Sequence, residues 1–175
     1  TRFGVCDREF DPQEFDPVTT IPDEQLRILE DYGRQLYEGT EYALLGWGYG
    51  VCFLGMSLIT DRRNNVTMGL PLEWMIRLKT EKESCHEMMD RSVEAYIQCL
   101  KLINEAVGDY CFAWGIASDD SGTQRGEFIN PELWVEMIKP HYRKLCDWVH
   151  AHTRMKTFLH SCGSIENLIP HMIEA

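Results

Sequence analysis

An α/β fold built on a parallel sheet is the class this sequence predicts, and three observations carry that expectation. Two short segments, residues 110–117 and 155–159, are apolar runs of the kind that become strands buried in a parallel sheet. Each run empties abruptly into polar and glycine residues, 118–126 after the first and 160–163 after the second. Segments with apolar residues at helical spacing lie between and after them, so strand, loop and helix alternate along the chain.

The elements are expected in this order. The opening stretch through Pro12, Pro17 and Pro22 is acidic and proline-punctuated, hence irregular. A helix over 23–38 follows, with Leu26, Leu29, Tyr32 or Gly33, and Leu36 on one side and Gly39 as its stop. Residues 42–46 form a short buried strand feeding the glycine-rich loop 47–50. A helical piece is expected over 51–59 and a polar loop over 61–69. A long helix spans 82–106, because Met89, Val93, Tyr96, Leu100 and Ile103 recur at three- and four-residue spacing. After the strand at 110–117, Asn130 caps a helix with Pro131 at its first position and Glu132 near its positive end. That helix carries Leu133, Trp134 and Met137, kinks at Pro140 and continues through Leu145 and Trp148. The strand at 155–159 comes next. Ile165, Leu168, Ile169, Met172 and Ile173 mark a last helix, bent or restarted at Pro170.

A chain of 175 residues suits a single domain with a substantial core. Its 44% hydrophobic and 26% charged residues are those of an ordinary globular protein. A formal charge of -11 argues against nucleic acid, whose binding relies on lysine and arginine neutralising phosphates, and against an anionic membrane surface. No apolar stretch is long enough to span a bilayer, and the first residues lack a signal-peptide layout. The 7 cysteines are odd in number and contain no CxxC pair, which points to reduced thiols in a cytoplasm. Most sit in apolar patterns as small core residues; Cys162 alone has a better reason to be reactive.

That reason is the tetrapeptide His160-Ser161-Cys162-Gly163. Residues two apart on a strand face the same side, so the imidazole and the thiol project together where the strand ends, and Gly163 permits the sharp exit. Nitrogen and sulfur donors side by side make half of a zinc site; catalytic zinc takes three protein ligands and leaves a fourth position open. The alternative is a core histidine beside a buried cysteine. Asp119 and Asp120, after the preceding strand, would stand at the same sheet edge, where parallel folds place their active sites. Asp119 shares parity with Cys111, Ala113, Gly115 and Ala117, and Asp120 with the bulky residues between them. Parity alone leaves open which of the two faces the site and which merely shapes a turn.

The residues that follow those aspartates, Asp119-Asp120-Ser-Gly-Thr-Gln124-Arg-Gly-Glu-Phe-Ile-Asn-Pro131-Glu-Leu-Trp134, together with Ile138-Lys-Pro140-His-Tyr142 and Phe158-Leu-His160-Ser-Cys162-Gly163-Ser-Ile-Glu-Asn-Leu168-Ile-Pro170, resemble the uroporphyrinogen decarboxylase superfamily. The resemblance is close from about Gly108 onward and looser from Tyr42 to Val107. It implies a (β/α)8 barrel, of which residues 1–175 would be one partial domain: 1–41 irregular segment and helix, 42–175 about three βα units. A whole barrel takes about 250 residues, so the chain reads as a fragment, inactive alone, with sheet edges that favour homodimerisation.

The superfamily implies an enzyme of one of two chemistries. Uroporphyrinogen decarboxylases remove acetate carboxyl groups from a tetrapyrrole without metal. Corrinoid-dependent methyltransferases, similar to methylcobalamin:coenzyme M methyltransferases, use zinc held by a His-x-Cys motif plus a distant cysteine. His160 and Cys162 match that motif, which the decarboxylases lack, so the methyltransferase branch is the closer resemblance. It implies zinc and a corrinoid, free or on a partner protein, as cofactors, a small-molecule methyl donor or acceptor, and a third ligand cysteine beyond Ala175. Asp119 or Asp120 would then contact substrate or orient the ligand histidine. Gln124 is a candidate contact for an anionic substrate group, with a solvated loop as the alternative. Trp47 and Tyr49 are candidates for a flat wall against a corrin or tetrapyrrole, with simple packing as the alternative. His86, His141, His150, His152 and His171 fall in helical contexts and read as surface or structural.

Overall fold

The computed structural model describes residues 16–48, 50, 51, 53 and 71–175. Among these, helices and parallel strands alternate as α1 (Asp23–Gly39), β1 (Leu44–Gly46), α2 (Pro71–Thr80), α3 (Lys82–Val107), β2 (Cys111–Ser118), α4 (Pro131–Met137), α5 (Lys139–His152), β3 (Lys156–His160) and α6 (Ile169–Glu174). The three strands lie in sequence order, β1-β2-β3, and both pairings are parallel. All three strands therefore deliver their carboxyl ends to one edge. The sheet and the expected alternation are as predicted, with strand ends shifted by one or two residues.

Local chemistry explains most of the boundaries. Asn130 accepts a hydrogen bond from the Leu133 amide and Pro131 occupies the first turn of α4, as an N-cap and an N1 proline should. The helix breaks at Ile138, ahead of Pro140, so α4 and α5 are separate rather than one kinked rod. No element is predicted between Gly69 and Lys82, yet α2 forms there. Its signals are Pro71 at the start and Arg77 and Lys79 near the negative end. The last helix is shorter than predicted, because residues 166–168 form turns before α6 begins. The predicted helical piece at 51–59 and the loop at 61–69 lie almost wholly outside the described residues. Val51 is described and is not helical: it makes a parallel bridge to Ala117, its amide donating to the Ile116 carbonyl at 2.9 Å.

The core lies between the sheet and the helices. Met88, Met89, Val93, Tyr96, Leu100 and Ile103 of α3 meet Trp114 and Ile116 of β2, and Trp134, Tyr142, Leu145 and Val149 close it from α4 and α5. Trp114 donates its indole N–H to the Tyr96 hydroxyl at 3.1 Å, which satisfies a polar atom buried with the ring. In α1 it is Gly33, not Tyr32, that faces inward: a Cβ there would meet Val107 Cγ1 at 3.0 Å, whereas Tyr32 is exposed. The opposite sheet face carries Leu45, Trp47 and Phe158, each substantially exposed.

Between α3 and α5, His141 is buried, the structural rather than the surface alternative for the helical histidines. His141 Nε2 lies 2.8 Å from His86 Nδ1, its Nδ1 lies 3.4 Å from Asp90 Oδ1, and its ring packs on Phe53. Burial holds His141 below the ordinary imidazole value of 6.5, at about 4, against the opposing pull of Asp90. Between those two values the unfolded chain binds a proton that the folded chain refuses. Stability is therefore full above pH 6.5, falls as pH drops toward 4 and levels off below it. At 1.36 kcal/mol per pH unit, this group alone should cost about 2 kcal/mol between pH 7 and pH 5. Urea midpoints at the two pH values measure it, and His141→Phe should flatten the difference. An equal slope in that variant would assign the effect to other groups.

Candidate functional site

The register of β2 against β3 decides what reaches the carboxyl edge. Gly115 pairs with Phe158, but Ala117 pairs with Leu159 and Ser118 with His160, so β2 carries one extra residue at Ile116. Such a bulge inverts the alternation of everything after it. Ala117 turns into the core beside Ile116, and Ser118 comes onto the face that Gly115, Phe158 and His160 share. Two residues on, Asp120 stands on that same face and Asp119 on the other.

Asp119 is fully buried. One of its carboxylate oxygens, Oδ2, accepts from the Phe53 amide at 2.9 Å and from the Tyr142 hydroxyl at 2.6 Å. Its own amide donates to the His160 carbonyl at 2.9 Å, tying the end of β2 to the end of β3. Asp119 is thus a buried hub that sets where both strands stop, while Asp120 is the aspartate at the open edge. Parity gave the wrong basis for separating them, because no pattern in 111–120 announces the bulge.

Asp120, His160 and Cys162 come together. His160 Nε2 is 3.2 Å from Cys162 Sγ and 3.7 Å from Asp120 Oδ1, and one donor atom from each of the three residues lies within 4.8 Å of the others. The Cys162 amide donates to Asp120 Oδ1 at 3.0 Å, which fixes the carboxylate over the thiol. All three side chains are reached by solvent: His160 and Asp120 are 43% and 57% exposed. The hydrogen bond to Asp120, and its negative charge, raise the Cys162 thiol above its ordinary range. A cation at this cluster would oppose the carboxylate and stabilise the thiolate. By contrast, burial, with a smaller push from Glu81, raises Cys85 to about 12, and burial dominates the upward shifts of Cys111 and Cys146, so those thiols are inert packing.

The loops that carry the cluster are laced together by backbone amides that donate to a carbonyl and to side chains. The Ser164 amide donates to the Thr123 carbonyl at 2.7 Å, the Ser121 amide to Ser161 Oγ at 3.0 Å, and the Asn167 amide to Glu127 Oε1 at 3.0 Å. Gly163 adopts φ +86, a left-handed conformation that glycine enters without steric penalty.

Trp47, a predicted substrate contact, stands beside this edge. Its ring meets Phe158 edge-on at 5.2 Å and His160 at 6.1 Å, and it lies over Gly115, where a Cβ would strike it at 2.7 Å. The absence of a side chain at Gly115 is what lets the indole lie flat on the sheet. Half of the ring remains exposed, leaving an apolar wall next to the donor cluster. Tyr49 lies outside the described residues. Gln124 is exposed in the loop closed by the Thr123 amide donating to the Gly126 carbonyl at 2.7 Å. Two supports escaped the sequence reading: Tyr142, which holds Asp119, and Ser161, which holds the Ser121 amide. A hydroxyl in a helix and a serine between two conspicuous residues carry no local sign of such roles.

Among the described residues, no helix is long and apolar enough to cross a membrane. Residues 56–175 match the family model described as Uroporphyrinogen decarboxylase (URO-D). No curated protein and no solved structure matches the chain.

Proposed function

The chain belongs to the uroporphyrinogen decarboxylase family, and from that premise we propose that it serves a zinc-dependent methyl transfer between a corrinoid and a thiol or other small acceptor. Members of this family are enzymes built on (β/α)8 barrels, and the sequential parallel sheet is compatible with three neighbouring units of one. The observation that carries the reading is the His160–Cys162 pair, 3.2 Å apart and solvent-facing at the sheet's carboxyl edge. Imidazole nitrogen and thiolate sulfur are the donors zinc prefers, and their spacing suits a shared ion. When bound there, zinc would supply the positive charge that keeps a substrate thiol ionised at neutral pH.

The chain's own residues would do the rest. His160 and Cys162 hold the metal, with Asp120 beside them. The exposed part of Trp47, with Phe158 edge-on against it, offers an apolar surface on which a corrin ring would rest, screening one side of the reacting centre from water. Gln124, exposed on the loop after β2, would donate to an anionic tail of the acceptor. Asp119 positions the edge from beneath and touches no ligand.

Zinc content is the direct test. Full chain dialysed against trace zinc should retain close to one ion per molecule, and His160→Ala or Cys162→Ala should retain almost none. Wild-type protein that comes back zinc-free would remove the proposal. The second reading, metal-independent decarboxylation of a tetrapyrrole, is favoured by the description of the matching family model. Turnover of uroporphyrinogen that persists in a strong zinc chelator would select it.

A further inference from the structure

We propose that Asp120 is itself a metal ligand, so that the carboxylate at the end of β2 and the imidazole and thiol at the end of β3 form a three-donor cation site. This rests on the zinc reading above and departs from the resemblance, which supplies the third donor from a distant cysteine.

Spacing is the first support. Zinc–nitrogen and zinc–oxygen bonds of about 2.0–2.2 Å and a zinc–sulfur bond of about 2.3 Å, at tetrahedral angles, set donors about 3.4–3.6 Å apart. His160 Nε2 lies 3.2 Å from Cys162 Sγ and 3.7 Å from Asp120 Oδ1. The third separation, Asp120 to Cys162, is within 4.8 Å, so side-chain rotation is what would bring all three onto one ion. Charge is the second: thiolate, carboxylate and neutral imidazole sum to −2, which a divalent cation neutralises. Placement is the third. The bulge at Ile116 turns Asp120 onto the His160 face, and the Cys162 amide at 3.0 Å holds its carboxylate there before any ion arrives. A carboxylate oxygen can accept that N–H with one lone pair and bind a cation with another.

A set containing one carboxylate, one thiolate and one imidazole is harder than a two-cysteine set. It should bind zinc less tightly and leave the ion more strongly Lewis acidic, with its fourth position open to an exogenous thiol. The competing role for Asp120 is purely positional: accepting the Cys162 amide and orienting His160 without touching the ion.

The full chain loaded with cobalt(II) separates these roles, since the visible absorption of cobalt reports its donor set. Asp120→Ala and Asp120→Asn are compared with wild type, the asparagine keeping an oxygen to accept the Cys162 amide. If Asp120 is a ligand, both variants shift the visible bands and lose more than the roughly 10–100-fold in affinity that an outer partner accounts for. Asparagine then fails to rescue. Unchanged cobalt bands in both variants, or full rescue by asparagine, would overturn the inference while leaving the zinc reading intact. A wild-type chain that takes up neither cobalt nor zinc would overturn both. Asp120 is exposed, so the variants should fold, and their unfolding midpoints verify it.

Discussion

Replacing Asp119 with alanine is expected to lower stability by about 3–6 kcal/mol, because two hydrogen bonds to its carboxylate at about 1.5–3 kcal/mol each are lost. The carboxylate is fully buried and receives the Phe53 amide at 2.9 Å and the Tyr142 hydroxyl at 2.6 Å on the same oxygen. Truncation takes the carboxylate acceptor from a backbone N–H and a phenol in the core, and opens a void that the rigid strand end is poorly placed to close. Asp119→Asn keeps the shape and an acceptor oxygen but drops the charge, so it should cost less than half as much. Tyr142→Phe removes one donor and the acceptor keeps the other, for an intermediate loss. Urea unfolding of the three variants gives the ranking. The assignment fails if Asp119→Ala stays within 1 kcal/mol of wild type, or if it abolishes metal uptake while leaving stability untouched. Asp120→Ala should do the reverse, changing metal uptake with little effect on stability. Two adjacent aspartates would then answer to different assays.

That contrast marks how far the sequence could be read. The strands and α3 were legible because their signals are local: an apolar run at 110–117, and Met89, Val93, Tyr96, Leu100 and Ile103 at helical spacing, all of which are buried. The His160–Cys162 pair was legible for the same reason, since period-two geometry puts both on one face. What sequence left open depended on contacts between distant segments. The bulge at Ile116 lies where β2 pairs with β3 and also takes the bridge from Val51, and it decides between Asp119 and Asp120. The choice of Gly33 over Tyr32 in α1 is made by Val107 on α3. His86 and His141 meet across two helices, and nothing in either helix alone announces a partner. α2 is a different case, since its proline start and basic end are local signals.

Gly163→Ala should damage the site as severely as any substitution that leaves its donors in place. At φ +86 an alanine is held in a conformation costing on the order of 1–3 kcal/mol. Its Cβ would also sit 2.0 Å from the Gly122 carbonyl oxygen, 2.2 Å from that carbonyl carbon and 2.7 Å from the Gly122 Cα. All three are backbone atoms, so no side-chain rotation relieves the overlap. The approach is mutual: a Cβ on Gly122 would lie 2.4 Å from the Ser164 carbonyl oxygen. The two loops have one way to accommodate the methyl group, which is to separate. Separation breaks the Ser164–Thr123 and Cys162–Asp120 hydrogen bonds, and these hold the carboxylate of one loop against the imidazole and thiol of the other. The expected result is a loss of more than about 3 kcal/mol of stability if the loops stay closed. If they open, metal affinity should fall at least as far as in Asp120→Ala. Gly39→Ala supplies the control, because a Cβ there meets nothing within 4 Å and should be tolerated. A Gly163→Ala protein that matched wild type in both unfolding midpoint and metal affinity would mean that the two strand ends are not joined in this way.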